Sequence, residues 1–161
     1  MFACKGYASV SALYAWHRKV VRTRHLYEAH GLEAPDAVIL YFGDHDPDGF
    51  EIPRSALRNL RKLQAVDGEY YDITMERVAL NMDQIEQYSP PPFPAKLTSA
   101  RYEGYISEHG TDDAWELDAL EPRVLRALIT ENVEKHFDWD IHAENLEQVQ
   151  ELRQELKSRI P

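Results

Sequence analysis

Asp44 and Asp46 flank a single residue in Gly43-Asp44-His45-Asp46-Pro47-Asp48-Gly49, directly after the apolar run 37–42. In extended backbone, residues i and i+2 project to one side, so both carboxylates can face one cation. Mg²⁺ (or Mn²⁺) suits such a pair, because a hard cation that keeps several waters needs only one or two carboxylates beside a phosphate oxygen. Asp48 adds a third acid, Gly43 and Gly49 permit tight turns, and Pro47 stiffens the segment. The same residue types also build a plain polar turn, so the DxD spacing alone does not define a metal site. An EF-hand fits less well, since the glycine-then-glutamate spacing and an entering helix are both missing.

Basic residues surround this segment in the chain. Arg54, Arg58 and Arg61 follow at spacings of four and three, which places them on one face of a helix starting after the acidic loop, with Lys62 beside them. The preceding helical stretch carries Arg18, Lys19, Arg22 and Arg24. A cation at the reacting phosphate with positive charge along the backbone is what phosphodiester chemistry requires, although either face can equally be a solvated surface. Lys96 and Arg101 flank a proline-rich connection and are further candidates for holding phosphate. Glu116 and Asp118, in Trp115-Glu116-Leu117-Asp118, alternate across the end of an expected strand and can supply another acid. Asp83 suits the first turn of a short helix, where the dipole favours it. His45 faces away from its neighbouring aspartates if the loop is extended, which suits a supporting or substrate role better than ligation. The remaining histidines show no zinc-binding spacing, and the chain has neither GxxxxGK[ST] nor GxGxxG. Trp16, Trp115 and Trp139 read as core residues rather than stacking platforms.

These residues need a scaffold. The opening MFACKGYAS reads as a short strand ending at Gly6, followed by a helix over 9–30 with Ser9 as its N-cap. The run 37–42 is apolar throughout, which suggests a strand buried on both faces in a parallel sheet. GDHDPDG is then the loop at that strand's carboxyl end, where α/β folds build their sites. A helix with Pro53 in its first turn runs to Asp67-Gly68, with Ile52, Ala56, Leu57, Leu60 and Leu63 on its apolar side. A third strand at 77–80, a short helix capped by Asn81, and an extended proline segment at 89–94 follow. A helix over 99–109, a fourth strand at 115–117, and helices over 122–137 and 143–160 complete the chain. The alternation predicts an α/β fold with a mostly parallel four-stranded sheet flanked by helices.

The segment AVILYFGDHDPDGFEI resembles the DxDPxG segment of the Toprim domain, in the version found in the A subunit of topoisomerase VI and in the meiotic double-strand-break protein. RVALNMDQIEQYSPPPFPAKLTSAR followed by WELDALEP resembles bacterial and phage Toprim proteins related to that group. The resemblance spans about residues 1–135. It implies a compact Rossmann-like Toprim domain over 1–137, a C-terminal helix over 138–161 packed on it, and Mg²⁺-dependent action on the DNA backbone. Carried over by position, Asp44 and Asp46 are the metal ligands. The family's first-strand glutamate has no counterpart in Ala3-Cys4-Lys5-Gly6. The topoisomerase VI subunit also cleaves with a tyrosine from a preceding winged-helix domain, for which no room is expected before Met1. The chain is therefore expected to be a subunit that depends on a winged-helix or ATPase partner domain or subunit, a hydrolytic or degenerate relative, or a fragment; Glu116 or Asp118 can supply the missing catalytic acid, and Asp48 and Asp118 are further candidate ligands. A non-catalytic Toprim-like binding domain is the competing reading; a haloacid-dehalogenase-like phosphatase is a third.

Composition bounds these readings. The 161 residues carry 43% hydrophobic side chains and one cysteine, Cys4, which suits one globular domain and excludes an internal disulfide framework. The net charge is −10, unlike a non-specific polyanion binder. Residues 1–62 hold 9 basic and 7 acidic side chains against 9 and 21 in 63–161, so any DNA contact belongs to a local patch in the first third. With no basic-plus-apolar leader or membrane-length apolar run, a cytoplasmic protein is expected, nucleoid-associated if it acts on DNA.

Overall fold

The computed structural model describes residues 6–137 and 139–159. The expected opening strand falls mostly on residues 1–5, outside the described residues; Gly6 and Tyr7 form a bend. The chain divides into two compact units, 1–125 and 126–161. Among the described residues, no helix is long and apolar enough to cross a membrane.

The first unit is built on one βαβ crossover. Helix α1 (Val10–Ala29) starts at Ser9, whose hydroxyl accepts from the Ala12 N–H at 3.2 Å. Strand β1 (Ala37–Phe42) leads into α2 (Pro47–Asp67), which stops at Gly68 in the left-handed conformation that glycine adopts readily. Strand β2 (Ile73–Ala79) then pairs parallel with β1, from Ala37 opposite Ile73 to Phe42 opposite Ala79, with an irregularity between Tyr41 and Phe42. Helix α1 packs along α2. Their contact buries His17 completely, and its Nδ1 and Nε2 meet the Tyr71 hydroxyl (2.9 Å) and Asp67 (3.2 Å).

The expected four-stranded sheet is corrected to two two-stranded sheets among the described residues. After α3 (Met82–Tyr88), strand β3 (Phe93–Pro94) pairs antiparallel with β4 (Asp113–Ala114), each only two residues long. Prolines at 90, 91, 92 and 94 carry no N–H, so the extended segment cannot sustain a longer ladder. The fourth strand is not 115–117: Trp115 makes one antiparallel bridge to His45, and Leu117–Ala119 is a 3₁₀ turn. The architecture is mixed α/β, with more helix than sheet.

Helix α4 (Tyr102–His109) begins three residues later than expected and packs on α2. Ala95, Tyr105 and Ala114 form a buried cluster, with Phe50, Phe93, Tyr102 and Ile106 packed against it. Trp115 is core as expected, whereas Trp139 is 56% exposed. Helix α5 (Pro122–Glu134) crosses into the second unit, which also holds α6 (Trp139–Arg159).

Leu60, on α2, is fully buried. Leu60→Ala is expected to destabilise the protein by about 2–5 kcal/mol through lost burial and the cavity left behind. Val66→Ala, at an 81% exposed position of the same helix, is expected to cost less than about 0.5 kcal/mol. Urea unfolding followed by circular dichroism checks both.

Candidate cation and phosphate site

The acidic segment is less of a loop than its composition suggests. Asp46 is the N-cap of α2, with Pro47 in the first turn where its missing N–H costs nothing. The Asp46 Oδ1 accepts from the Gly49 N–H at 2.5 Å. Asp44, two residues earlier, accepts the Leu117 N–H on its Oδ1 at 2.8 Å. A β-carbon at Gly49 would strike the Asp44 carbonyl oxygen, so the close return of the helix start onto the loop requires glycine.

His45, between the two aspartates, points into the protein and is 2% exposed. Its Nδ1 lies 3.0 Å from the Leu80 carbonyl oxygen, which only accepts, so Nδ1 carries the hydrogen. Backbone bonds to Trp115 in both directions (2.8 and 3.0 Å) fix its main chain. Phe50, Tyr105, His109 and Trp115 wall in the ring, with centroids 4.9 to 5.9 Å away. Burial lowers the His45 pKa, against the raising effect of the Leu80 carbonyl. This setting excludes contact with substrate and makes His45 the anchor of the loop.

Arg77 is the residue that motif reading misses. Its guanidinium donates to the carbonyls of Gly49 (2.8 Å), Asp44 (2.7 Å), Leu80 (3.1 Å) and Gly43 (3.3 Å). It lies 4.0 Å from the centroid of the Phe50 ring and 5.5 Å from that of Tyr41, its register partner on β1. Burial pulls its pKa below the ordinary value while Tyr41, Asp46 and Asp44 favour its charge. Its signal appears only once α2 is known to start at Pro47 rather than at Pro53. Pro53 lies inside α2 and cannot donate to the Gly49 carbonyl four residues back, so that buried acceptor needs a donor from elsewhere.

The other candidates divide by location. Glu116 and Asp118 are exposed, and the Trp115 bridge with the Leu117–Asp44 bond holds their segment against the acidic loop. Lys96 is exposed and lowers the Asp46 pKa. Asp48 lies in the first turn of α2 and pairs with Arg101 at 2.8 Å. Arg54 pairs with both oxygens of Glu108 at 2.9 and 3.2 Å, and Arg58 with Glu51. Arg61 is exposed. The expected arginine face therefore exists, with two of its three cations already held by acids.

Burial raises the Asp46 pKa, the Gly49 N–H opposes it, and the neighbouring charges of Asp44 and Asp48 raise it further. A bound cation would relieve that repulsion. Asp44 and Asp46 each have a second oxygen outside the two bonds described, which fits a cation that needs only one or two carboxylates. Among the described residues, no group of three or more His, Cys, Asp or Glu side chains is gathered to hold a metal ion. Comparison with protein-family models, curated proteins and solved structures returned no match.

Two outcomes are expected. Arg77→Lys strips the loop carbonyls of a forked donor and costs roughly 2–4 kcal/mol; Pro53→Ala, which restores an N–H to Gly49, recovers part of that loss in the double mutant. Independent additive effects in a denaturation cycle would show that the two residues do not share the Gly49 carbonyl. In the pH series, His45 and His109 both have pKa values lowered by burial from 6.5. The unfolded chain then binds more protons, so the melting midpoint falls as pH drops through 6.5 and levels below the folded values. Asp46 acts in the opposite sense, in the more acidic window that opens at 3.8. His45→Asn, which keeps a donor and removes the titration, is expected to shrink the fall near 6.5.

Proposed function

We propose that this chain is a Mg²⁺- or Mn²⁺-dependent Toprim-like module acting on the DNA phosphodiester backbone, within an assembly that includes a winged-helix or ATPase partner. The observation that carries the reading is the bond from the Leu117 N–H to Asp44. It sets the Glu116–Asp118 segment against the DxD pair at the end of a parallel strand.

Asp44 and Asp46 would hold the cation, which when bound neutralises phosphate oxygens as a Lewis acid. Asp46 is oriented by capping α2, and Asp44 by Leu117. Lys96 and Arg101 present positive charge beside the acidic loop, where a phosphate would lie. Glu116, with Asp118 close in sequence, is exposed and would accept or give a proton at an attacking or leaving oxygen. His45, buried beneath the loop, anchors it through the Leu80 carbonyl and the Trp115 backbone.

The pairing of Arg54 with Glu108 and of Arg58 with Glu51 favours a second reading, a Toprim-like domain that binds nucleic acid or protein without cleaving it. One experiment separates them. Calorimetric titration with Mn²⁺ is expected to give heat with the wild type that disappears in Asp44→Ala/Asp46→Ala; equal heats would remove the metal reading. With Mg²⁺ or Mn²⁺, the isolated chain is expected to nick supercoiled plasmid weakly or not at all. Strong nicking that Asp44→Ala abolishes would establish a self-sufficient nuclease. Metal binding with no nicking, even after partner addition, would leave the binding module.

A further inference from the structure

Helices α2 and α4 enclose a groove of about 250 Å³ within the first unit, lined by neither Asp44 nor Asp46. Its floor is aromatic. Phe50, Tyr105 and His109 line it, and His109 stacks on Phe50 with 4.1 Å between centroids and 29° between planes. Arg101, held by Asp48 at 2.8 Å, closes one end; Arg54, held by Glu108 at 2.9 and 3.2 Å, closes the other. At the rise of a helix these two bridges stand about 10 Å apart along α2 and α4. Gly104 lies inside α4 and lines the groove, and a β-carbon there would meet nothing within 4 Å. Glycine inside a helix costs stability, and no close neighbour requires one here. Its effect is to leave the groove wide.

Charge and hydrogen-bonding capacity narrow the ligand. Each arginine at the ends faces a carboxylate, and Glu51 on the wall is paired with Arg58, so neither sign is in excess. A strongly charged ligand would have to displace one of these pairs. Arg54 bonds Glu108 through Nη2 alone and Arg101 bonds Asp48 through Nη1 alone, which leaves guanidinium N–H groups and carboxylate lone pairs at the rim. A hydrocarbon ring would use the floor and none of these groups. A nucleobase uses both, with a π face for the floor and N–H donors and ring acceptors for the rim. A cavity of about 150 Å³ takes one benzene, so this groove has room for a base and part of its sugar. We infer that the α2–α4 groove is a nucleobase-binding site, which seats an uncharged base on its aromatic floor and reads the base edge with Arg54 and Glu108. The base arrives as a free nucleoside or as an unpaired residue of a strand. The inference rests on the groove alone and requires no cation at Asp44 and Asp46.

Saturation-transfer NMR in EDTA tests it with adenosine, cytidine and thymidine. Transfer is expected to be stronger to the base protons than to the sugar protons, with a Kd of roughly 0.1–1 mM. No transfer to any of the three would overturn the inference. Adenosine with its exocyclic amine dimethylated keeps the ring and loses that edge donor, and is expected to bind about tenfold more weakly. Equal affinity would mean that any flat ring fits, which would overturn the nucleobase assignment. Gly104→Leu, whose side chain fills the groove, is expected to abolish transfer while melting no lower than the wild type. If that variant fails to fold, Glu108→Ala, which removes an exposed acceptor, provides the second arm and is expected to bind adenosine about tenfold more weakly. Unchanged affinity in a folded variant would overturn the assignment by placing the ligand elsewhere. The two sources are separated with a single-stranded pentadeoxyadenylate in Mg²⁺. Affinity about tenfold or more above that of adenosine, lost in Gly104→Leu, identifies an unpaired base of a strand, and affinity no greater identifies a free nucleoside. Because the nucleoside titrations contain no divalent cation, their failure leaves the cation reading standing, and failure of the Mn²⁺ titration leaves the groove standing.

Discussion

The guanidinium of Arg77 holds the site's scaffold together. It takes the Gly49 carbonyl that Pro53 leaves without a helical donor, and it takes carbonyls on both flanks of the acidic loop. Four acceptors from β1's exit, the first turn of α2 and the end of β2 therefore converge on one side chain. Its burial is tolerable because both terminal nitrogens donate to carbonyls and the group rests on the Phe50 ring, although its buried Nε has no hydrogen-bond partner among the described residues. The Leu80 carbonyl accepts from both Arg77 and His45, so the cation and the buried histidine act as one brace.

That brace explains how two like-charged aspartates can stand near each other at all. With His45 driven inward, alternation turns Asp44 and Asp46 to the other side, and each carboxylate is given a backbone N–H. Both groups thus do structural work whether or not they bind a cation. The capping and turn chemistry visible in DHDPDG is a component of the site rather than a rival explanation of it.

The βαβ unit and the placement of the acidic segment were legible in the sequence, because a six-residue apolar run followed by Asp-Pro and a strong helical stripe has few other solutions. The start of α2 at Pro47 was less so, since Asp46 serves both loop and cap. The small antiparallel ladder escaped because two-residue strands carry no alternation to read. The acids that occupy Arg54 and Arg101 lie 54 and 53 residues away in the chain, so helical spacing showed the arginines' common face and nothing of their partners. Arg77 looked like an ordinary strand residue, because with Pro53 read in the first turn of its helix no carbonyl at Gly49 was left short of a donor.

Electrostatics ties the metal and phosphate parts of the proposed reading together. Asp44, Asp46 and Asp48 follow the end of β1, the Leu117–Asp44 bond holds the Glu116–Asp118 segment against the loop, and the charge of Arg77 is spent on backbone carbonyls. The remaining cations are exposed: Lys96 acts on Asp46, and Arg101 is paired with Asp48. In the proposed reading, a phosphate approaching this surface would meet net repulsion until a divalent cation lowered it, and a cation held by two carboxylates would gain a further oxygen ligand when phosphate arrived. Each ligand would then raise the affinity for the other by the same factor. Within the Toprim-like reading, neither the acidic pair nor the arginines constitute a binding site alone, and a chain of net charge −10 contacts DNA only where cation and phosphate arrive together.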